Sequence, residues 1–142
     1  MTTRRRFPAK SADLRRRWCS ASLKIDAFSR FLANEPEFKG DHSNPLKLLV
    51  LTGERREESP ARSRYSETEE HRCSTKSRIV HHYRPVIDWP EEKVWALIEK
   101  YRVAPHPAYI LGWGRTSCFG CIFSSSDHWA MMREIAPKRF NW

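Results

Sequence analysis

Two thiols separated by two residues, Cys118-Phe119-Gly120-Cys121, are the sharpest chemical signal in the chain. That spacing lets both sulfurs face one metal ion or bond to each other as a redox pair. Just upstream, Gly112 and Gly114 supply backbone freedom, and Arg115 supplies a cation that favours thiolate and can bind an anion. Cys19 and Cys73 bring the thiols to four, a number that suits either zinc or an iron–sulfur cluster, and spacing alone does not choose. Buried cysteines without a metal are the plain alternative. A second signal is Thr52-Gly53-Glu54-Arg55, followed by Ser59 and Arg62. Glycine lets backbone approach a ligand closely, and a guanidinium can fork onto phosphate or sulfate. Ser59 near a helix start would add a hydroxyl and amide donors for the same anion. The competing reading pairs these arginines with Glu54, Glu57, Glu58, Glu67, Glu69 and Glu70 on a solvent-facing helix. His81 and His82 are adjacent, so on a strand they point to opposite faces and cannot share one ion. They and His128 are read as structural or surface groups, whereas His71 and His106 are left open.

The elements that must position these groups follow from periodicity. Leu46 to Leu51 is a short apolar run bounded by turn residues, which predicts a parallel strand buried on both faces. The Gly53 segment would then lie at its carboxyl end, where open α/β sheets bind ligands. A helix is expected after Ser59 and Pro60, and a second strand over 79–87. Asp88 is expected to cap the next helix, with Glu91 closing a capping box. Upstream, Leu14, Trp18, Ile25, Phe28 and Leu32 predict a helix from Ser11, and 34–45 reads as a loop. Residues 104–126 read as a long loop carrying the Cys118–Cys121 pair, and a last helix runs from about Asp127 to near Pro137. Strand, helix, strand, helix means an α/β layered fold.

Size and charge bound the rest. One domain is expected from 142 residues, with 26 Lys and Arg against 17 acids and a net charge of +9. Seventeen aromatic residues offset a lean apolar fraction and supply a core. Seven bases within residues 1–17, and above all 1–13, suggest a basic arm or a solvated terminus. No apolar run reaches the roughly 18 residues of a membrane span, and the start lacks the apolar stretch of a secretory signal. A cytoplasmic protein with no membrane contact is the expectation. The charge alone also supports a rival reading, a basic nucleic-acid-binding module stabilised by zinc or a cluster.

Several segments together resemble the phosphoadenosine phosphosulfate (PAPS) reductase family. Thr52-Gly53-Glu54-Arg55-Arg56-Glu57-Glu58-Ser59 with Arg62 is similar to its TGxRxxES segment. Arg84-Pro85-Val86-Ile87-Asp88-Trp89 with Val94-Trp95 resembles a strand-to-helix junction of the family. His106-Pro107-Ala108-Tyr109, Gly112, Arg115 and Ser117 to Phe123 resemble its cysteine loop, and Arg17-Trp18-Cys19 with Leu23-Lys24-Ile25 its "RWC…LKI" helix. The resemblance runs over about residues 14–135.

It implies a partial adenine-nucleotide α-hydrolase-like (Rossmann-like) α/β fold with a mostly parallel sheet. An adenylyl nucleotide would be substrate or ligand, with Gly53, Arg55, Ser59, Arg62 and Arg115 on its anionic part. The implied activities are phosphoadenylyl-sulfate reduction and sulfur transfer of the ATP pyrophosphatase type, with a thiol donor protein as a partner of the former. In cluster-bearing relatives the positions of Cys19, Cys118 and Cys121 hold a [4Fe–4S] cluster, with zinc the alternative. Cys73 matches no family cysteine and is expected to stay outside the set. The family's SGGxDS phosphate loop is absent from these 142 residues, which hold five glycines and no Gly-Gly pair, and so is its Glu-Cys-Gly catalytic cysteine. The chain is therefore expected to represent a C-terminal portion of a family member. As such it would be incomplete as an enzyme alone, and completed by an N-terminal subunit or by self-association.

Overall fold

A computed structural model of the chain describes residues 7–140. It divides into two compact units, one made of 24–103 and the other of the N-terminal residues to Leu23 together with 104 onward.

The 24–103 unit is built on a three-stranded sheet of order β1-β3-β2, with β1 at Leu46–Leu51, β2 at Thr68–Glu70 and β3 at Arg78–Tyr83. β1 and β3 are parallel, from Leu46 opposite Arg78 to Leu51 opposite Tyr83. β2 runs antiparallel to β3, so the sheet is mixed rather than mostly parallel. The cause is local. Only seven residues connect β2 to β3, too few for a parallel crossover. Helix α2 (Asp26–Asn34) supplies the apolar stripe for one face. Leu32, Cys73 and Val80 are buried there, with Phe28, Phe38, Leu48 and Val50 packed around them. Each such aliphatic side chain contributes about 1.5–3 kcal/mol on full burial.

β1 is buried on one face only, contrary to the expectation from its unbroken apolar run. Leu46, Leu48 and Val50 turn inward, whereas Leu49 is 62% and Leu51 61% exposed. β3 alternates in the same way. Arg78, Val80 and His82 are buried, and His81 faces solvent. The buried Arg78 guanidinium donates to the carbonyls of Leu32 and Phe38 and, at 3.2 Å, to that of Cys73. It thereby satisfies acceptors near the carboxyl end of α2, where positive charge is favourable. Gly40 is required where it stands, since an added Cβ would lie 2.2 Å from the Ser77 carbonyl oxygen.

Three further expectations are corrected. No regular helix follows Ser59; two 3₁₀ turns, Arg56–Glu58 and Arg62–Arg64, take its place. Pro60 holds Ser59 extended (φ −172°, ψ 157°), and that breaks the run. The second strand ends at Tyr83, because Pro85 has no N–H to donate and the chain turns so that the Ile87 N–H meets the Arg84 carbonyl. Helix α3 (Glu91–Lys100) starts from Pro90, so Asp88 lies too early to cap it and binds Arg56 Nε at 2.5 Å. Glu91 accepts from the Trp95 indole N–H instead of closing a capping box.

The other unit is helical. Its N-terminal part holds α1 (Trp18–Ser20), which opens into a π turn (Ala21–Ile25) that runs across the boundary at Leu23, instead of the regular helix expected from Ser11. The long loop contains a short helix, α4 (Pro107–Ile110), started by His106, whose ring accepts the Ala108 N–H at 3.1 Å. Gly112 closes it with φ +82°, a conformation glycine adopts without a Cβ penalty. Helix α5 (Ser126–Ile135) is capped by Ser125, and α6 (Pro137–Phe140) follows. Met132 is fully buried in this unit. No helix among the described residues is long and apolar enough to cross a membrane.

Candidate functional site

The carboxyl ends of β1 and β3 form one continuous polar assembly. Backbone hydrogen bonds still join the two segments past the strands, as the Thr52 N–H donates to the Tyr83 carbonyl and the Arg56 N–H to that of Ile87. At the centre lies Arg84, which is buried and stacked 4.8 Å from the Tyr65 ring centroid. Its guanidinium donates to Glu54 Oε2 and Glu69 Oε1, both at 2.6 Å, to the Ser66 carbonyl and to His82 Nδ1 at 3.0 Å. An arginine can only donate, so His82 Nδ1 accepts and its Nε2 carries the proton. That proton goes to Thr52 Oγ1 at 2.7 Å, and the Thr52 hydroxyl donates to Glu54 Oε2 at 3.2 Å. The hydrogen bonds close into a ring through Arg84, His82, Thr52 and Glu54.

Charges respond accordingly. Burial works against the Arg84 cation, but the hydrogen bonds to Glu69 and Glu54 outweigh it and raise its pKa. The hydrogen bond from Arg84 holds Glu69 below the usual carboxylate range. His71, whose ring lies 5.4 Å from that of His82, is lowered by burial first and then by the neighbouring His82. Arg84 and His82 thus fix the geometry of the strand ends. Neither residue was a sequence candidate. The signal available was an arginine directly after a strand opposite a TGE turn.

The sequence candidates lie outside this ring. At Gly53 an added Cβ would meet nothing within 4 Å, so this backbone is open. The Arg55 side chain is only 12% exposed; it pairs with Glu57, with Glu58 at 3.6 Å and with Glu91 at 3.6 Å, and donates to the Trp89 carbonyl. Arg62 pairs with Glu58 at 2.7 Å, and Ser59 Oγ accepts the Arg62 N–H at 3.2 Å. Glu58 therefore joins Arg55 to Arg62. This is the carboxylate pairing of the competing reading, although it sits on 3₁₀ turns and not on a helix.

Arg115 belongs to the other unit, as do Cys19, Cys118 and Cys121, whereas Cys73 lies in the 24–103 unit. None of the four cysteines forms a disulfide. Cys118 is exposed, and Cys121 Sγ accepts the Phe123 N–H at 3.5 Å. Cys73 is buried, with its sulfur 3.4 Å from Ser29 Oγ. Among the described residues no three His, Cys, Asp or Glu side chains are grouped as a metal ion requires. His106 and His128 are absorbed by structure, His106 as a helix cap and His128 with its ring 5.1 Å from that of Trp113.

These features define a small mixed α/β protein with an arginine-rich assembly at the carboxyl ends of a parallel strand pair. Residues 4–125 match the phosphoadenosine phosphosulfate reductase domain family, and the chain belongs to that family. It is 32% identical over 125 residues, 88% of its length, to an uncharacterized 37.8 kDa protein of Escherichia phage 186. It is 28% identical over 112 residues, 79% of its length, to an adenosine 5′-phosphosulfate reductase of Burkholderia cepacia. The chain spans about a third of the length of these curated relatives, 34% and 38% respectively. No solved structure matches it significantly.

Proposed function

We propose that the chain binds the anionic part of an adenylyl nucleotide of the adenylyl sulfate class at the carboxyl ends of β1 and β3. The observation that carries this reading is the setting of Arg55, a largely buried guanidinium next to the open backbone of Gly53. Its partners Glu57 and Glu91 are 46% and 58% exposed, so a phosphate or sulfate can replace them without stranding a buried carboxylate. Family membership and the likeness to the Burkholderia reductase support the choice of ligand. Arg62 and Ser59 extend the same anion site, and Glu58 holds Arg55 and Arg62 together until ligand arrives. Reduction of such a nucleotide would need a thiol supplied by a donor protein, and an N-terminal subunit or a second copy would complete the site.

Calorimetric titration of the full chain with adenosine 5′-phosphosulfate tests it. Arg55→Ala should weaken binding by about 1.5–3 kcal/mol, the size of one charge-assisted contact. Glu57→Gln should strengthen binding, because the ligand no longer has to displace a charge. Affinities unchanged in both variants would return Arg55 to a purely structural role.

A further inference from the structure

In the helical unit three cations converge on one aromatic ring. Lys10 Nζ lies 5.6 Å, Arg17 Cζ 5.9 Å and Arg115 Cζ 5.2 Å from the Phe123 centroid. None of the three forms an ion pair among the described residues, and the acid closest in sequence, Asp13, pairs with Arg15. A ring quadrupole attracts a cation, but it carries no formal charge to set against three. One atom makes the deficit specific. Arg17 Nε is the only buried side-chain nitrogen or oxygen among the described residues without a hydrogen-bond partner. Buried donors in folded proteins are paired with very few exceptions, so this one points to an acceptor that binds there.

We infer that Lys10, Arg17 and Arg115 form an oxyanion site beside Phe123 that takes one tetrahedral phosphate or sulfate group. Three cations within 5.9 Å of a single ring centroid are confined to one spot, whereas a nucleic-acid backbone calls for a stripe of them. A dianion with several acceptor oxygens can take hydrogen bonds from Arg17 Nε, a second guanidinium and an ammonium together. This site does not rest on the strand-end reading, since every residue in it belongs to the other compact unit.

The test is titration of the full ¹⁵N-labelled chain with sulfate and with inorganic phosphate, at ionic strength held constant with chloride. Saturable binding that shifts the Arg17 Nε–H resonance is expected. Lys10→Gln, Arg17→Gln and Arg115→Gln should each weaken it about tenfold or more, and the exposed, Asp13-paired Arg15→Gln should leave it unchanged. Arg17→Lys keeps the charge but not the planar donor, so it should fall between wild type and Arg17→Gln. It also gives a second readout if the glutamine variant fails to fold. Adenosine 5′-phosphosulfate provides a further arm. Binding tighter than sulfate with the same dependence on Lys10 and Arg115 makes the group part of a nucleotide, and equal binding makes it a free oxyanion. Sulfate acting no differently from chloride, or all three glutamine variants binding as wild type, would overturn the inference. Binding of a single-stranded oligonucleotide without binding of sulfate would overturn it as well.

Discussion

Arginine is used in opposite ways in the two compact units. In the 24–103 unit Arg78 ends on three main-chain carbonyls, and Arg84 ends on two carboxylates, a carbonyl and a histidine nitrogen. In the helical unit Arg17 and Arg115 stand over Phe123 with no carboxylate, and Arg17 keeps a buried N–H unpaired. The first kind holds the fold together, because its hydrogen bonds are complete without any ligand. The second kind costs the fold energy until something negative arrives. Arg55 lies between them, paired but with partners that solvent can take back. Counting bases would treat all five residues alike, whereas their partners separate glue from receptor.

The largest effect expected from this contrast is at Arg78. Arg78→Met leaves buried carbonyls at Leu32 and Cys73, and a partly buried one at Phe38, without this donor, and should cost about 3–5 kcal/mol in urea denaturation. A loss below about 1 kcal/mol would dissolve the contrast, since surface arginines lose that little.

Arg84→Met should cost less, because Glu54 and Glu69 can recover water, and its pH signature sharpens the comparison. Glu69 has a pKa depressed in the fold, so its stabilisation is complete above its ordinary value of 4.5 and fades as pH falls through the lower folded value. His71 is also depressed, from 6.5, so the unfolded chain takes up its proton first and stability already declines as pH drops below that point. Denaturant midpoints measured from pH 7.5 down to pH 3 should therefore fall in two stages. Arg84→Met should flatten the lower, Glu69 stage. An unchanged lower stage would mean that Glu69 is not held by Arg84.

The smallest effect is expected in the helical unit. Arg115→Gln removes a like-charge neighbour and no ion pair, so without ligand its stability should stay within about 0.5 kcal/mol of wild type or rise slightly. If thermal unfolding instead showed it as damaging as Arg84→Met, the two units would be using arginine in the same way.

The parts of the molecule legible in the sequence are those with strong period. Leu46–Leu51, Glu91–Lys100 and Ser126–Ile135 form the strand and two helices that their apolar spacing predicts. β2 left no such trace, because Thr68, Glu69 and Glu70 are polar and all exposed, and their pairing is set by β3. The helix expected after Ser59 failed because Pro60 constrains the residue before it, a veto that charge spacing does not register. The position of the TGE-R turn just past a strand was legible. The hydrogen-bonded ring behind it was not, since Arg84 and His82 lie 30 positions from Glu54 and Thr52 and meet them only once the chain between has folded back.

The two borders of the sheet set how it can be enlarged. On one side β2 offers three residues, two of them glutamates, with Glu69 already held by Arg84; a newcomer there would find little backbone and repelling charge. On the other side β1 offers six residues, four of them leucine, with no strand beyond it among the described residues. Widening is therefore one-sided, and each strand gained extends the order to new-β1-β3-β2. Such growth moves the Gly53 turn from the margin of the sheet toward its middle without altering a residue of it. What is now a ledge would become the floor of a cleft.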